Sequence, residues 1–189
     1  MSEVEGTIGI EAGIVTLEDL RREGRLPPPE VLERGVALPI IDCLEDIPCT
    51  PCRDVCPTGA ITMKTMINRP EINWDACTGC TLCAQACPGL AINIVNYHFG
   101  RRSLRRPGYE EYALVMLPYE LTPIPKRGEV VMVFDRAGRQ LGEAEVFSVM
   151  KSPKFGTVMV GVLVPQSIAF EVKGVEVKRR WPGRRGGAP

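Results

Sequence analysis

The stretch Cys77-Thr78-Gly79-Cys80-Thr81-Leu82-Cys83-Ala84-Gln85-Ala86-Cys87-Pro88 contains four cysteines in the pattern Cys-x2-Cys-x2-Cys-x3-Cys-Pro. This spacing is typical of a run that binds a cubane iron–sulfur cluster. A longer copy lies upstream, where Cys43, Cys49, Cys52 and Cys56 are followed by Pro57. The two copies use all eight cysteines of the sequence. We therefore predict two 4Fe-4S clusters and one-electron transfer as the core chemistry.

The way in which such cysteine runs bind clusters in two-cluster proteins predicts which cysteines bind each cluster. Each iron of a four-iron cube takes one outside ligand, and soft thiolates suit it. In two-cluster proteins the fourth cysteine of each run reaches across to the other cube. One cluster is thus predicted to bind Cys43, Cys49, Cys52 and Cys87, and the other to bind Cys77, Cys80, Cys83 and Cys56. Because this crossing ties the two halves together, loss of one cluster is expected to unfold both.

An internal repeat supports the pairing of the two runs. Cys49, Cys52 and Cys56 recur 31 positions later as Cys80, Cys83 and Cys87, and the flanking residues match as well. Residues 36–97 resemble a bacterial two-cluster ferredoxin domain, which implies hairpin-like strands and two short helices around the clusters. The sequence departs from that pattern between Cys43 and Cys49, where five residues replace the usual two. The residues expected to line the cluster cavity are Ile47, Val55, Ile61, Leu82, Leu90 and Ile92.

Three other uses of the cysteines are less consistent with the spacing. Structural zinc sites pair Cys-x2-Cys units across a longer spacer, whereas each run here is compact and ends in Cys-Pro. A disulfide framework is typical of secreted domains. No signal-peptide pattern is evident at Met1–Glu5, so we expect a cytoplasmic protein with reduced thiols. A three-iron cluster typically lacks the second cysteine of the run, and neither run lacks it here.

The chain is predicted to be α+β, with a ferredoxin-like domain between two additions. Residues 1–35 are predicted to be an N-terminal docking extension, in which Thr16 caps a helix over 17–22. The ferredoxin domain spans 36–97, and a basic linker spans 98–108. Short strands with turn signals predict a small all-β, barrel-like domain over 109–175. A basic tail over 176–189 completes the chain.

No residues in the sequence suggest a substrate site of its own. The C-terminal region carries no Ser/His/Asp set, and the single histidine, His98, lies between the two predicted domains. No glycine-rich phosphate loop is present, so no nucleotide or flavin site is evident. The basic runs 101–106 and 178–185 lack the interleaved aromatics of single-strand nucleic-acid binding, so we expect no nucleic-acid partner. No apolar run is long enough to cross a membrane.

Charge and one local resemblance favour a protein partner. Residues 1–60 carry 12 acidic and 5 basic side chains, whereas residues 98–189 carry 9 acidic and 16 basic ones. Such asymmetry suits docking onto a partner, although solvated faces and a charged tail explain it equally well. The stretch Cys43–Cys52, with Ile-Pro-Cys-Thr-Pro-Cys at its end, resembles iron–sulfur subunits associated with FAD-dependent amine or amino-acid dehydrogenases. That resemblance implies a flavoprotein partner.

The sequence leaves three functions open. The first is an electron-transfer subunit of a multi-subunit oxidoreductase, because the additions exceed what a small carrier needs. The second is a free-standing ferredoxin-type carrier with accessory domains. The third is a cluster protein that binds nucleic acid and senses oxidation, which the weak nucleic-acid signals disfavour.

Overall fold

The largest feature of the fold is one seven-stranded antiparallel sheet, in a computed structural model that describes residues 14–177. The strands are β1 (Leu38–Ile41), β2 (Ile61–Thr62), β3 (Glu71–Ile72), β4 (Ile92–Asn96), β5 (Tyr112–Tyr119), β6 (Val130–Phe134), β7 (Gln140–Lys151), β8 (Val158–Pro165) and β9 (Gly174–Val177). The large sheet has the order β1-β4-β5-β8-β7-β6-β9, and β2 and β3 form a separate hairpin.

The helical elements are short and lie mainly in the first half of the chain. They are α1 (Leu17–Arg22), α2 (Pro29–Leu32), α3 (Pro51–Asp54) and α4 (Leu82–Ala86), with a π-helical turn at Gly100–Leu104 and a 3₁₀ turn at Gln166–Ile168. Within residues 14–177, no helix has both the length and the apolar character needed to cross a membrane.

Strand β8 lies at the centre of the sheet, as its composition predicts. Its residues from Met159 to Val164 are all buried, and it is hydrogen-bonded to β5 on one side and β7 on the other. A continuous apolar strand is stable only where both of its faces are covered. The short strands predicted between residues 109 and 175 are observed as β5 to β8.

The expected barrel-like C-terminal domain is not what the described strands form. Strand β4, from the ferredoxin-like half, pairs directly with β5 through Val95 and Val115. The strands of residues 112–177 therefore continue the same sheet as β1 and β4. Among residues 14–177 the sheet is open, with β1 and β9 at its edges. The alternation of polar and apolar residues predicted the strands, but it carries no information on which strand each of them would pair with.

The two ends of the open sheet are joined by side chains. Asp42, directly after β1, contacts Arg136 in the β6–β7 turn and Lys173 just before β9. Asn93 of β4 also donates a 3.0 Å hydrogen bond to the carbonyl of Val172. The sheet therefore curls until side chains at its two ends meet.

The N-terminal segment packs on its own chain. Thr16 and Asp19 form a reciprocal capping box on α1, as the predicted cap requires. Leu20 is fully buried in the main core, together with residues from β5, β6 and β8. Val31 of α2 packs near Leu38 and Cys77. The predicted extension 1–35 is thus part of the folded unit from residue 14 onward, and its first residues and the basic tail beyond 177 lie outside the described residues.

The predicted linker 98–108 contains ordered structure. His98 is buried, and its Nε2 lies 2.9 Å from a carboxylate oxygen of Glu33. Gln166 approaches the other ring nitrogen at 3.3 Å. His98 thereby connects the α2 region to the 3₁₀ turn.

The packing of Leu20 leads to a stability prediction. Leu20→Ala removes a fully buried side chain from the shared core, so the free energy of unfolding should fall by about 3 kcal/mol. Glu18→Ala, in the same helix and on its exposed side, should cost less than about 0.5 kcal/mol. Denaturant unfolding of the cluster-loaded protein measures both. Equal, small losses would show that α1 is not part of the core.

Candidate metal centre

The two cysteine runs fold into matching loop–helix units. Helix α3 begins two residues after Cys49, and α4 begins two residues after Cys80. Each helix carries the third cysteine of its run, Cys52 or Cys83, and both are buried. The two helices pack against each other, so these two thiols lie on neighbouring elements.

The turn after each fourth cysteine is also repeated. Gly59 donates its N–H to the carbonyl of Cys56, and Leu90 does the same to Cys87, both at 3.3 Å. Gly59 and Leu90 both have left-handed backbones, with φ of 65° and 51°. A left-handed conformation is costly for leucine, so the turn geometry is imposed by the surrounding structure. The sequence repeat is therefore also a repeat in three dimensions.

One group of four cysteines lines a single cavity. The thiol-bearing residues around it are Cys56, Cys77, Cys80 and Cys83. Three come from the second run and one from the first, which is the crossed set that the sequence predicts. Ala37, Pro39 and Ile94 complete the apolar part of the wall. Cys80 is the most exposed of the eight cysteines, so this cavity reaches the surface.

The other four cysteines are electrostatic neighbours of one another. Burial raises the pKa of the Cys43 thiol, and the nearby thiols of Cys87 and Cys49 raise it further. Burial likewise raises the pKa of Cys52 to about 11, with added effects from Cys87, Cys49 and Cys43. The structure thus brings Cys87 of the second run together with three cysteines of the first.

Burial sets the proton affinity of the innermost thiols. It raises the pKa of Cys83 to about 12, since a thiolate loses its hydration there. Without metal these thiols hold their protons at neutral pH, and binding of iron must release them. Electrostatic contact between Cys83 and Cys52 places the two groups side by side.

Backbone N–H groups point at the two crossing cysteines. Ala91 donates to Cys87 Sγ at 3.4 Å. Burial alone would raise the pKa of Cys56, but N–H donors including Ile61 and Ala60, with the Thr58 hydroxyl, lower it overall. Ala60 and Ala91 are equivalent positions of the repeat. Such donors stabilise thiolate charge, which is one of the factors that set cluster potentials.

The widened loop between Cys43 and Cys49 is held by the connection between the two runs. Asp46 accepts hydrogen bonds from the backbone of Arg69 at 2.9 Å and from the Asn68 side chain at 3.4 Å. Arg69 in turn donates to the carbonyl of Leu44, whose side chain is buried. The extra residues therefore anchor the loop that carries Cys43.

The apolar lining agrees in part with the sequence prediction. Ile61 and Ile92 are buried and belong to the cluster of side chains that includes Cys52 and Cys83. Val55, Leu82 and Leu90 are half-buried. The prediction for Ile47 is wrong, because its side chain is 40% exposed at the outside of the widened loop. Met159 of β8 and Met116 of β5 take part instead, so the C-terminal strands help to enclose the site.

The cysteines are not gathered around a single point. Across residues 14–177, no three His, Cys, Asp or Glu side chains come close enough together to hold one metal ion. A four-iron cube has its ligands on four separate irons, so it needs thiols spread around a larger body. The soft thiol donors and the N–H groups directed at sulfur are both compatible with such a cube.

Comparison with known proteins agrees with this geometry. Residues 47–91 match the family model of the 4Fe-4S dicluster domain. This segment is a ferredoxin-type 4Fe-4S domain. The match contains seven of the eight cysteines and begins after Cys43, the cysteine of the unusual spacing. No solved structure matches the chain significantly.

Similarity to individual proteins extends over a limited part of the chain. The chain is 43% identical over 54 residues to "Ferredoxin-type protein NapF" of Haemophilus influenzae, covering 27% of this chain and 31% of that protein. It is 47% identical over 38 residues to "Protein NrfC" of Escherichia coli, covering 20% and 17%. An uncharacterized ferredoxin of Methanocaldococcus jannaschii is 50% identical over 42 residues, covering 22% and 24%. The chain therefore spans less than a third of the length of these relatives.

Several charged residues beside the cysteines were not identified from the sequence. Asp42, which precedes Cys43 in the chain, forms a partly buried ion cluster with Arg136 and Lys173, and Arg25 lies near Cys43. Asp42 and Arg136 are 94 positions apart. The sequence shows that Asp42 is next to Cys43, but it does not show that Arg136 and Lys173 bind Asp42.

Gly79, between Cys77 and Cys80, leads to a prediction on assembly of the site. A Cβ there would lie 2.7 Å from the carbonyl oxygen of Ala37, and the backbone has a φ of +76°. Gly59 has a similar φ of +65° with open space around it. Both alanine variants take on a left-handed strain of about 1 kcal/mol. Only Gly79→Ala must also move backbone at the cavity, so it should lose iron, whereas Gly59→Ala should keep it.

Iron content and thermal unfolding of the two purified variants measure this difference. Similar iron content and similar unfolding temperatures for Gly79→Ala and Gly59→Ala would show that contact with Ala37 does not constrain the loop.

Proposed function

We propose that this chain binds two 4Fe-4S clusters and transfers electrons between redox partners. The observation that carries the proposal is the interlocked grouping of the cysteines, in which each run contributes its fourth cysteine to the other group. The proposed ligands are Cys43, Cys49, Cys52 and Cys87 for the first cluster and Cys56, Cys77, Cys80 and Cys83 for the second.

A 4Fe-4S cluster supplies reversible one-electron chemistry when it is bound. The residues of this chain hold it, exclude water and set the local charge. Buried Ile61, Ile92 and Ile94 supply apolar surface near the thiols, and the N–H of Ala91 donates to Cys87. Electrostatic contact between Cys52 and Cys83 supports two sites close enough for electrons to pass between them.

The second cluster is the proposed point of contact with a partner. Cys80 is exposed, so electrons can enter or leave at this surface over a short distance. The uneven charge of the two chain ends also supports docking, since complementary charge speeds association. We propose that the chain is the iron–sulfur subunit of a cytoplasmic oxidoreductase complex, with no substrate site of its own.

A flavoprotein dehydrogenase is the proposed partner. This rests on the resemblance of Cys43–Cys52 to iron–sulfur subunits associated with FAD-dependent amine or amino-acid dehydrogenases. The structure gives that stretch a defined shape, because Asp46 ties the widened loop to the connection between the runs. The residues of this motif therefore have a fixed conformation in the domain.

A free-standing carrier is the second candidate. It is favoured by the packing of the N-terminal segment from residue 14 onto its own chain, which leaves that part of the extension engaged rather than available for a partner. Gel filtration of native extract under anaerobic conditions distinguishes the candidates. A subunit elutes in a complex with a flavin-containing protein, whereas a carrier elutes near the 20.8 kDa mass of the chain.

The crossed ligation leads to a prediction on metal content. Anaerobically purified protein should contain about eight irons and eight sulfides per chain. Cys87→Ala and Cys56→Ala should each lower the iron to about four or fewer, because each removes the thiolate that closes the opposite site. Met66→Ala, exposed between the two runs, is the control and should keep the full content. Zinc in place of iron, or full iron in both cysteine variants, would contradict the proposal.

A further inference from the structure

A partly buried ion cluster lies beside the backbone segments that carry the first group of cysteines. Arg136 donates to both carboxylate oxygens of Asp42, with distances of 3.0 Å from Nε and 2.9 Å from a terminal nitrogen. Lys173 Nζ lies 3.1 Å from the same carboxylate. The side chains of Arg136 and Asp42 are only 8% and 10% exposed, and that of Lys173 is 24% exposed. The cluster carries two positive charges against one negative charge.

The position of these charges is defined by the cysteine loops. Asp42 directly precedes Cys43, and its N–H donates to the carbonyl of Ala91 at 2.9 Å. Ala91 in turn donates to Cys87 Sγ. Lys173 also donates to the carbonyl of Leu90 at 3.3 Å. The cations are therefore held against the two backbone segments that carry Cys43 and Cys87.

A further cation, which is buried, approaches the same group from the N-terminal segment. Arg25 is 6% exposed, and one of its terminal nitrogens donates to the carbonyl of Pro70. Its Nε is buried, and within residues 14–177 it has no hydrogen-bond partner. Arg25 and Cys43 lie within electrostatic range of each other. A buried donor without a partner is costly, and the charge of an anionic cluster bound nearby would offset part of that cost.

The second group of cysteines has a different electrostatic environment. Its nearby cation is Arg34, which donates to the backbone carbonyls of Trp74 and Cys77. Arg34 is exposed, so water and salt screen its charge. Buried charges are screened much less and act strongly on a nearby group.

We propose that Arg25, Arg136 and Lys173 are positioning residues that raise the reduction potential of the cluster bound by Cys43, Cys49, Cys52 and Cys87. This rests on the proposed function. Reduction adds one negative charge to a cluster, and net charge is among the factors that set its potential. Positive charge that is shielded from water stabilises the reduced state. The segments that flank the cysteine runs therefore give this cluster a higher reduction potential than the other cluster would have without such cations.

A purely structural role for the ion cluster predicts a different pattern of effects. If the ions only join the ends of the sheet, loss of either sign of charge loosens the site in the same way. If they act through charge, Lys173→Gln lowers the potential of this cluster and Asp42→Asn raises it. Lys173→Arg keeps the charge and should keep the potential.

An anaerobic redox titration of the cluster-loaded protein, followed by its visible absorption, tests the proposal. The expected shift is about tenfold in the reduction equilibrium for each charge removed, which corresponds to about 59 mV for one electron. The shift should affect one of the two reduction steps much more than the other. Lys126→Gln, exposed in the loop before β6, is the control and should shift neither step.

The outcomes separate this inference from the proposed function. Opposite shifts for Lys173→Gln and Asp42→Asn support it, and no shift or shifts of the same sign in iron-replete variants overturn it. If Lys173→Gln does not fold, Arg25→Met must lower the potential in the same way, and an unchanged potential overturns the proposal. A wild-type chain that binds no iron and sulfide instead contradicts the proposed function, and the inference fails with it.

Discussion

The crossed arrangement of eight thiols is the constraint on which the rest of the structure depends. Each group of four takes three thiols from one run and the fourth from the other, so neither half can complete its site alone. This requirement explains why α3 and α4 pack together and why β1 and β4 lie side by side. It also explains the repeated left-handed turns at Gly59 and Leu90, which turn the chain back after each fourth cysteine.

The C-terminal half is built onto this unit through the sheet. Strand β5 extends the edge formed by β4, and β8 and β7 continue it. Met116 and Met159 then cover the cysteine-bearing face, while the turn after β6 and the segment before β9 bring Arg136 and Lys173 back to Asp42. The C-terminal strands, which a small ferredoxin-type carrier does not need, thus add apolar side chains and charged side chains around the cysteines.

Sequence reasoning identified the parts of this protein that local chemistry dictates. The cysteine spacing predicted the two groups of thiols that lie together in the structure, because in two-cluster proteins with this run the fourth cysteine reaches across to the other cluster. The Thr16 cap, helix α1 and strands β5 to β8 followed from capping and from apolar patterns. The exposure of Ile47 was missed, since an apolar residue in a loop of unusual length has no pattern to place it.

The remaining features depend on contacts between distant parts of the chain. The pairing of β4 with β5 makes one sheet from two predicted domains, and hydrophobic alternation cannot specify such a partner. The contacts of Arg136 and Lys173 with Asp42 also depend on the curl of that sheet. In the sequence these two residues do not stand out from the other basic residues of the C-terminal half, and they reach Asp42 only because the two ends of the sheet meet.

The most direct test of the account is a crystal structure of the anaerobically purified protein with anomalous data at the iron edge. The account predicts two four-iron sites, one bound by Cys43, Cys49, Cys52 and Cys87 and the other by Cys56, Cys77, Cys80 and Cys83. Two sites in which each run binds its own cluster, or anomalous signal at the zinc edge alone, would contradict it.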